Sequence, residues 1–61
     1  MSEFLELAHD GIITQTGEAI LFRFEENRVW ISKSLIADYG DVFVEVERWF
    51  VEEEELEEYE L

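Results

Sequence analysis

Apolar and polar residues alternate along several short stretches, and a period of two marks strands buried on one face. The longest is Ala19-Ile20-Leu21-Phe22-Arg23-Phe24, with Ile20, Phe22 and Phe24 on one face and Leu21 and Arg23 on the other. Glu25-Glu26-Asn27-Arg28 follows; it is polar and carries an Asn, which tolerates the left-handed backbone of a hairpin turn. Val29-Trp30-Ile31 then returns with Val29 and Ile31 opposite Trp30, so a β-hairpin is predicted. Ile12-Ile13-Thr14-Gln15-Thr16 is β-branched and reads as an earlier strand, between the turn signals His9-Asp10-Gly11 and Thr16-Gly17. Asp41-Val42-Phe43-Val44-Glu45-Val46 alternates again, which places Val42, Val44 and Val46 inward and Phe43 and Glu45 outward.

The other segments are less marked. Glu3-Phe4-Leu5-Glu6-Leu7 fits a strand or a short helical turn, Ser34 is placed to cap a single helical turn, and Tyr39-Gly40-Asp41 turns the chain. One or two helical turns are expected from about Glu47, packed through Trp49 and Phe50. Trp49, Leu56 and Tyr59 share a helical face, but the like charges of Glu52 to Glu55 repel on adjacent turns and oppose the helix dipole. The end is therefore expected to fray. The sum is a mainly β (α+β) single domain over residues 1–61, a four-stranded antiparallel meander with a short C-terminal helix and an acidic segment, 52–61. Its second face gathers Leu21, Trp30 and Phe43, each from a different strand. That patch is either covered by the terminal segments or serves as a dimer or partner surface.

Composition sharpens this picture. A chain of 61 residues buries only about 60% of the surface its unfolded form exposes, and small domains usually need a staple. Cysteine is absent, so the staples left are aromatic packing, from two Trp, two Tyr and five Phe, and self-association. A homodimer is expected on that ground. The net charge of −13 repels nucleic acid and anionic membranes, so neither is expected as a direct partner. A basic protein that itself binds nucleic acid suits such a surface; the plainer alternative is that the charge only confers solubility. Met1 to Asp10 has no Lys or Arg and no apolar run of signal length, and no stretch approaches the roughly 20 apolar residues of a membrane span, so a cytoplasmic location is expected.

Thr16-Gly17-Glu18-Ala19-Ile20-Leu21-Phe22, Val29-Trp30-Ile31-Ser32-Lys33-Ser34-Leu35-Ile36 and Val44-Glu45-Val46-Glu47-Arg48-Trp49-Phe50 together form a pattern. It resembles a loosely defined group of small domains in phage and other mobile-element proteins. That group carries a T-x-K-A-hydrophobic strand, a D-G-x-x-V-W-h-P-K-S-x-I hairpin return and a V-x-V-x-x-W-h strand into a short helix. The resemblance spans about residues 12 to 51. Glu26-Asn27 stands where the group has Asp-Gly or Glu-Gly, and Ser32 where it has Pro. The group supplies no catalytic residues. What the resemblance implies is a phage-like setting, the host cytoplasm, where small acidic proteins often inhibit host systems.

Catalytic candidates are few. His9 beside Asp10 reads as an exposed turn histidine, and Lys33 diverges from Ser32 and Ser34 on alternating positions. No enzyme, cofactor or metal site is expected. Asp38, Asp41 and Glu52 to Glu55 lack the spacing of an EF-hand loop. The acidic run carries the sharpest hypothesis. Duplex DNA bears a charge about every 1.7 Å of axis and a helix rises about 1.5 Å per residue, so the seven carboxylates from Glu52 to Glu60 approach the line density of phosphates. Glu18, Glu25, Glu26, Asp38, Asp41, Glu45 and Glu47 would extend the charge along the sheet rim. The expected function is a phage-type acidic interaction protein that inhibits a nucleic-acid-binding host defence protein by mimicking nucleic-acid charge. The partner-binding residues would be Glu52, Glu53, Glu54, Glu55, Glu57 and Glu58, supported by Glu25, Glu26 and Glu45, with Trp30 and Phe43 as apolar anchors. The alternative is a homo-oligomeric structural or accessory module whose acidity serves solubility.

Overall fold

In the computed structural model, which describes residues 3–61, six strands form where four were expected. They are β1 (Phe4–Ala8), β2 (Ile12–Gln15), β3 (Ala19–Phe24), β4 (Asn27–Ser32), β5 (Ile36–Tyr39) and β6 (Phe43–Glu47). Helix α1 (Arg48–Glu53) and two 3₁₀ turns, Lys33–Leu35 and Glu57–Tyr59, complete the chain. The protein is mainly β, but it is not a single meander. Two antiparallel three-stranded sheets form, ordered β1-β6-β5 and β2-β3-β4. The ambiguous opening segment is β1, paired from Phe4↔Glu47 to Ala8↔Phe43.

The two sheets share one core. Leu5 and Leu7 of β1, Ile20, Phe22 and Phe24 of β3, Ile31 of β4, and Val44 and Val46 of β6 are buried together with Val51 and Leu56. The alternation in β3, β4 and β6 thus sets the inward faces as the pattern predicts, with one exception. Val42 is 68% exposed, because β6 begins only at Phe43 and Val42 belongs to the preceding turn.

The segment 9–11 carries the chain from one sheet to the other. The His9 N–H donates to the Val42 carbonyl at 3.0 Å in the first sheet; Asp10 N–H then donates to the Arg23 carbonyl at 2.7 Å in the second. Arg23 N–H returns a bond to the Gly11 carbonyl at 2.9 Å, and Gly11 takes a φ of 136°, which only glycine adopts without strain. His9 is not an exposed turn residue. It is 4% exposed, with its ring 4.8 Å from Phe22. Gly11 N–H donates to Nδ1 at 3.0 Å, and Nε2 lies 2.8 Å from the Gly40 carbonyl. A carbonyl only accepts and an amide N–H only donates, so the neutral Nε2–H tautomer satisfies both.

Three local expectations also shift. The positive φ of the β3–β4 hairpin falls on Glu25 (57°), not on Asn27, which opens β4. Asp10 Oδ2 accepts the Glu25 N–H at 2.6 Å, and Arg23 Nε donates to the Glu25 carbonyl at 3.1 Å, so the strained residue is held from both sides. Ser32, not Ser34, caps the turn at Lys33–Leu35. Helix α1 packs through buried Val51 and half-buried Phe50, and Trp49 lies exposed.

Candidate functional site

The register of the first sheet decides where carboxylates meet. Glu6 pairs with Glu45 and Glu45 pairs with Asp38, so three acidic residues stand side by side across β1, β6 and β5. Residues directly opposite share a face, and the inward face of these strands is taken by Leu5, Leu7, Val44 and Val46. These side chains therefore point outward, from strands roughly 4.8 Å apart. Glu47, opposite Phe4, adds a fourth on the same face. Like charges directly opposite destabilise a sheet, so this row works against the fold.

The acidic tail is folded as a hook and does not fray. Glu52 and Glu53 end α1, Glu54 and Glu55 form a turn with Glu55 at a φ of 57°, and Glu57 and Glu58 lie in the second 3₁₀ turn. All six are exposed. Leu56 is buried between them, so the carboxylates do not run along one continuous helix, and the expected helical line of charge is replaced by a bent one. Three contacts fix the hook. The Tyr59 ring lies 5.0 Å from Phe24, Asn27 Nδ2 donates to the Tyr59 hydroxyl at 3.1 Å, and Leu61 N–H donates to the Glu6 carbonyl at 2.8 Å. A bridge between Leu7 and Glu60 sets the end antiparallel beside β1. The tail thus borders the strand that carries Glu6, with Leu61 beside Glu6 and the exposed carboxylates of the hook along that edge of the sheet.

The other predicted residues separate. Glu25 and Glu26 sit exposed at the tip of the β3–β4 hairpin, which the Asn27–Tyr59 bond brings toward the 3₁₀ turn of Glu57 and Glu58. Glu45 is the centre of the row. Trp30 and Phe43 do not form one patch with Leu21. Leu21 and Trp30 are cross-strand partners on the outer face of the second sheet, whereas Phe43 belongs to the first, where its ring lies over Gly40. Glu6 is the functional candidate that the sequence reading missed. Its signal was its place between inward Leu5 and Leu7, which has meaning only once the segment is known to be a strand.

Among the described residues, no group of three or more His, Asp or Glu is arranged to hold a metal ion, and no helix is long and apolar enough to cross a membrane. Comparison with family models, curated proteins and solved structures finds no match.

Proposed function

We propose that the chain is a non-catalytic interaction protein, of the phage type its sequence resembles, that inhibits a nucleic-acid-binding host protein by offering carboxylates where phosphates would lie. The observation that carries this reading is the row Asp38–Glu45–Glu6, with the exposed carboxylates of the hook, Glu52 to Glu58, at the neighbouring edge of the sheet. A protein that needs acidity only for solubility has no need to set carboxylates opposite one another, where they repel by about 1 kcal/mol per pair. Holding the charge on a sheet and a pinned hook also avoids the entropy of ordering a tail on binding. Steering between opposite charges would make association fast and salt-sensitive.

The test is retention of a host nucleic-acid-binding protein on the immobilised chain, with release by salt and by free duplex DNA. Glu6→Gln, Glu45→Gln and Asp38→Asn combined, or Glu52 to Glu55 changed to Lys, should each weaken binding by at least tenfold. If retention ignores DNA and survives both sets of changes, the acidity serves solubility alone.

A further inference from the structure

The outer face of the second sheet differs from the rest of the surface. Its rows are Ala19 with Ser32, Leu21 with Trp30, and Arg23 with Arg28, and Thr14 of β2 continues the middle row. None of these residues is acidic, in a chain with 17 acidic residues. Trp30 is 47% exposed and Ile13 46%. Ile13, Arg23, Arg28, Glu25 and Glu26 line an open depression of about 340 Å³. The two arginines face each other as like charges. Trp and Arg beside Leu and Ile is the composition of an interface centre.

We propose that this face is where two copies of the chain meet, back to back, about a two-fold axis. Charge selects the occupant. The outer face of the first sheet and the hook are lined with carboxylates, so two copies repel there, whereas at this face Arg23, Arg28 and Lys33 offset Glu18, Glu25 and Glu26 and the repulsion is least. Charge also selects the orientation. An axis parallel to the strands would lay the Arg23/Arg28 row on its own copy. An axis parallel to the rows, through Leu21 and Trp30, sets Trp30 against Trp30 and Leu21 against Leu21. It also sets each long arginine over the small Ala19 and Ser32, and brings the Glu25–Glu26 tip over the end that carries Lys33 beside Glu18. Three strands at about 4.8 Å and six residues at about 3.3 Å give a footprint below the roughly 800 Å² per partner of a standard interface. The dimer is therefore weak and reversible. It leaves both carboxylate surfaces facing outward, and it stands or falls independently of their proposed role.

Sedimentation equilibrium on the full chain tests the association, and a single cysteine tests the face, since the chain has none of its own. Wild type should dimerise reversibly, and more tightly as salt screens the net charge, the opposite sign to binding of a basic partner. Trp30→Ala should weaken dimerisation by at least tenfold while circular dichroism stays unchanged. Under mild oxidation Trp30→Cys should cross-link and Val42→Cys, outside this face, should not. A wild type that stays monomeric at high concentration and high salt overturns the proposal. So does a dimer that Trp30→Ala leaves intact, or that cross-links equally at position 42.

Discussion

Replacing His9 with Ala tests how the two sheets are joined. The imidazole is the one buried polar side chain of the described residues, and it bridges Gly11 to Gly40, which lie 29 positions apart. Each hydrogen bond contributes about 1 kcal/mol, and its loss leaves a partly buried amide or carbonyl without a partner. Removing the ring also empties space beside Phe22 and Phe24. Together these put the cost at about 3 kcal/mol. A domain of this length has on the order of 3 to 9 kcal/mol to lose, so His9→Ala should remove about a third or more of the stability. Two milder variants divide the bridge. Asn can offer a carbonyl where Nδ1 accepts from Gly11, and Gln can reach toward Gly40 with an amide N–H where Nε2 donates, so each should recover about 1 kcal/mol. Urea unfolding followed by circular dichroism reads all three. A loss below about 1 kcal/mol for His9→Ala would show that the corner holds without its histidine, and the bridging argument would fall.

Three further perturbations follow from single contacts. Glu45→Thr removes the centre of the Asp38–Glu45–Glu6 row and places a β-branched residue in mid-strand. It should raise stability by about 0.5–1 kcal/mol in low salt, with the gain shrinking as salt rises, readable as a melting-temperature difference at two ionic strengths. Gly40→Ala puts a methyl 2.6 Å from Phe43 Cε1, so the ring must swing away, at roughly 1–2 kcal/mol. Phe43→Leu in the same chain should cancel most of that cost in a double-mutant cycle of unfolding energies. Tyr59→Phe deletes the exposed bond from Asn27 and should cost no more than about 0.5 kcal/mol, whereas Tyr59→Ala also removes the packing on Phe24 and should open residues 56–61 to hydrogen exchange.

What the sequence made legible tracks how much of each element is decided locally. The β3–β4 hairpin could be read because six residues alternate without a break and every inward position is apolar. β1 could not, since Phe-Leu-Glu-Leu-Ala satisfies a strand and a helical turn equally until β6 is there to pair with it. β5 was missed because Ile36-Ala37-Asp38-Tyr39 shows no alternation and its pairing with β6 slips at a bulge. The division into two sheets has no local signal at all. It depends on His9, whose partner Gly40 is 31 positions away, so a residue that looked like part of a solvent-exposed turn proved to be buried. The acidic residues were all visible, but only register could show which of them stand together.

That distinction bears on why the charge is arranged as it is. A net charge of −13 keeps a small protein in solution wherever the carboxylates sit, and sites far apart would do so with the least repulsion. Here Glu6, Glu45 and Asp38 fall in one row, the hook folds six more carboxylates beside it, and the strands of the second sheet have none. This segregation lowers the stability of a domain that has little to spare, so each neutralisation in the row should make the fold stronger. If the same neutralisations weaken partner binding, stability and function pull in opposite directions at Glu45, as expected of residues placed for an encounter. If Glu45→Thr gains stability and binding is unchanged, the row is a tolerated cost, and the reason for the chain's acidity lies in the hook.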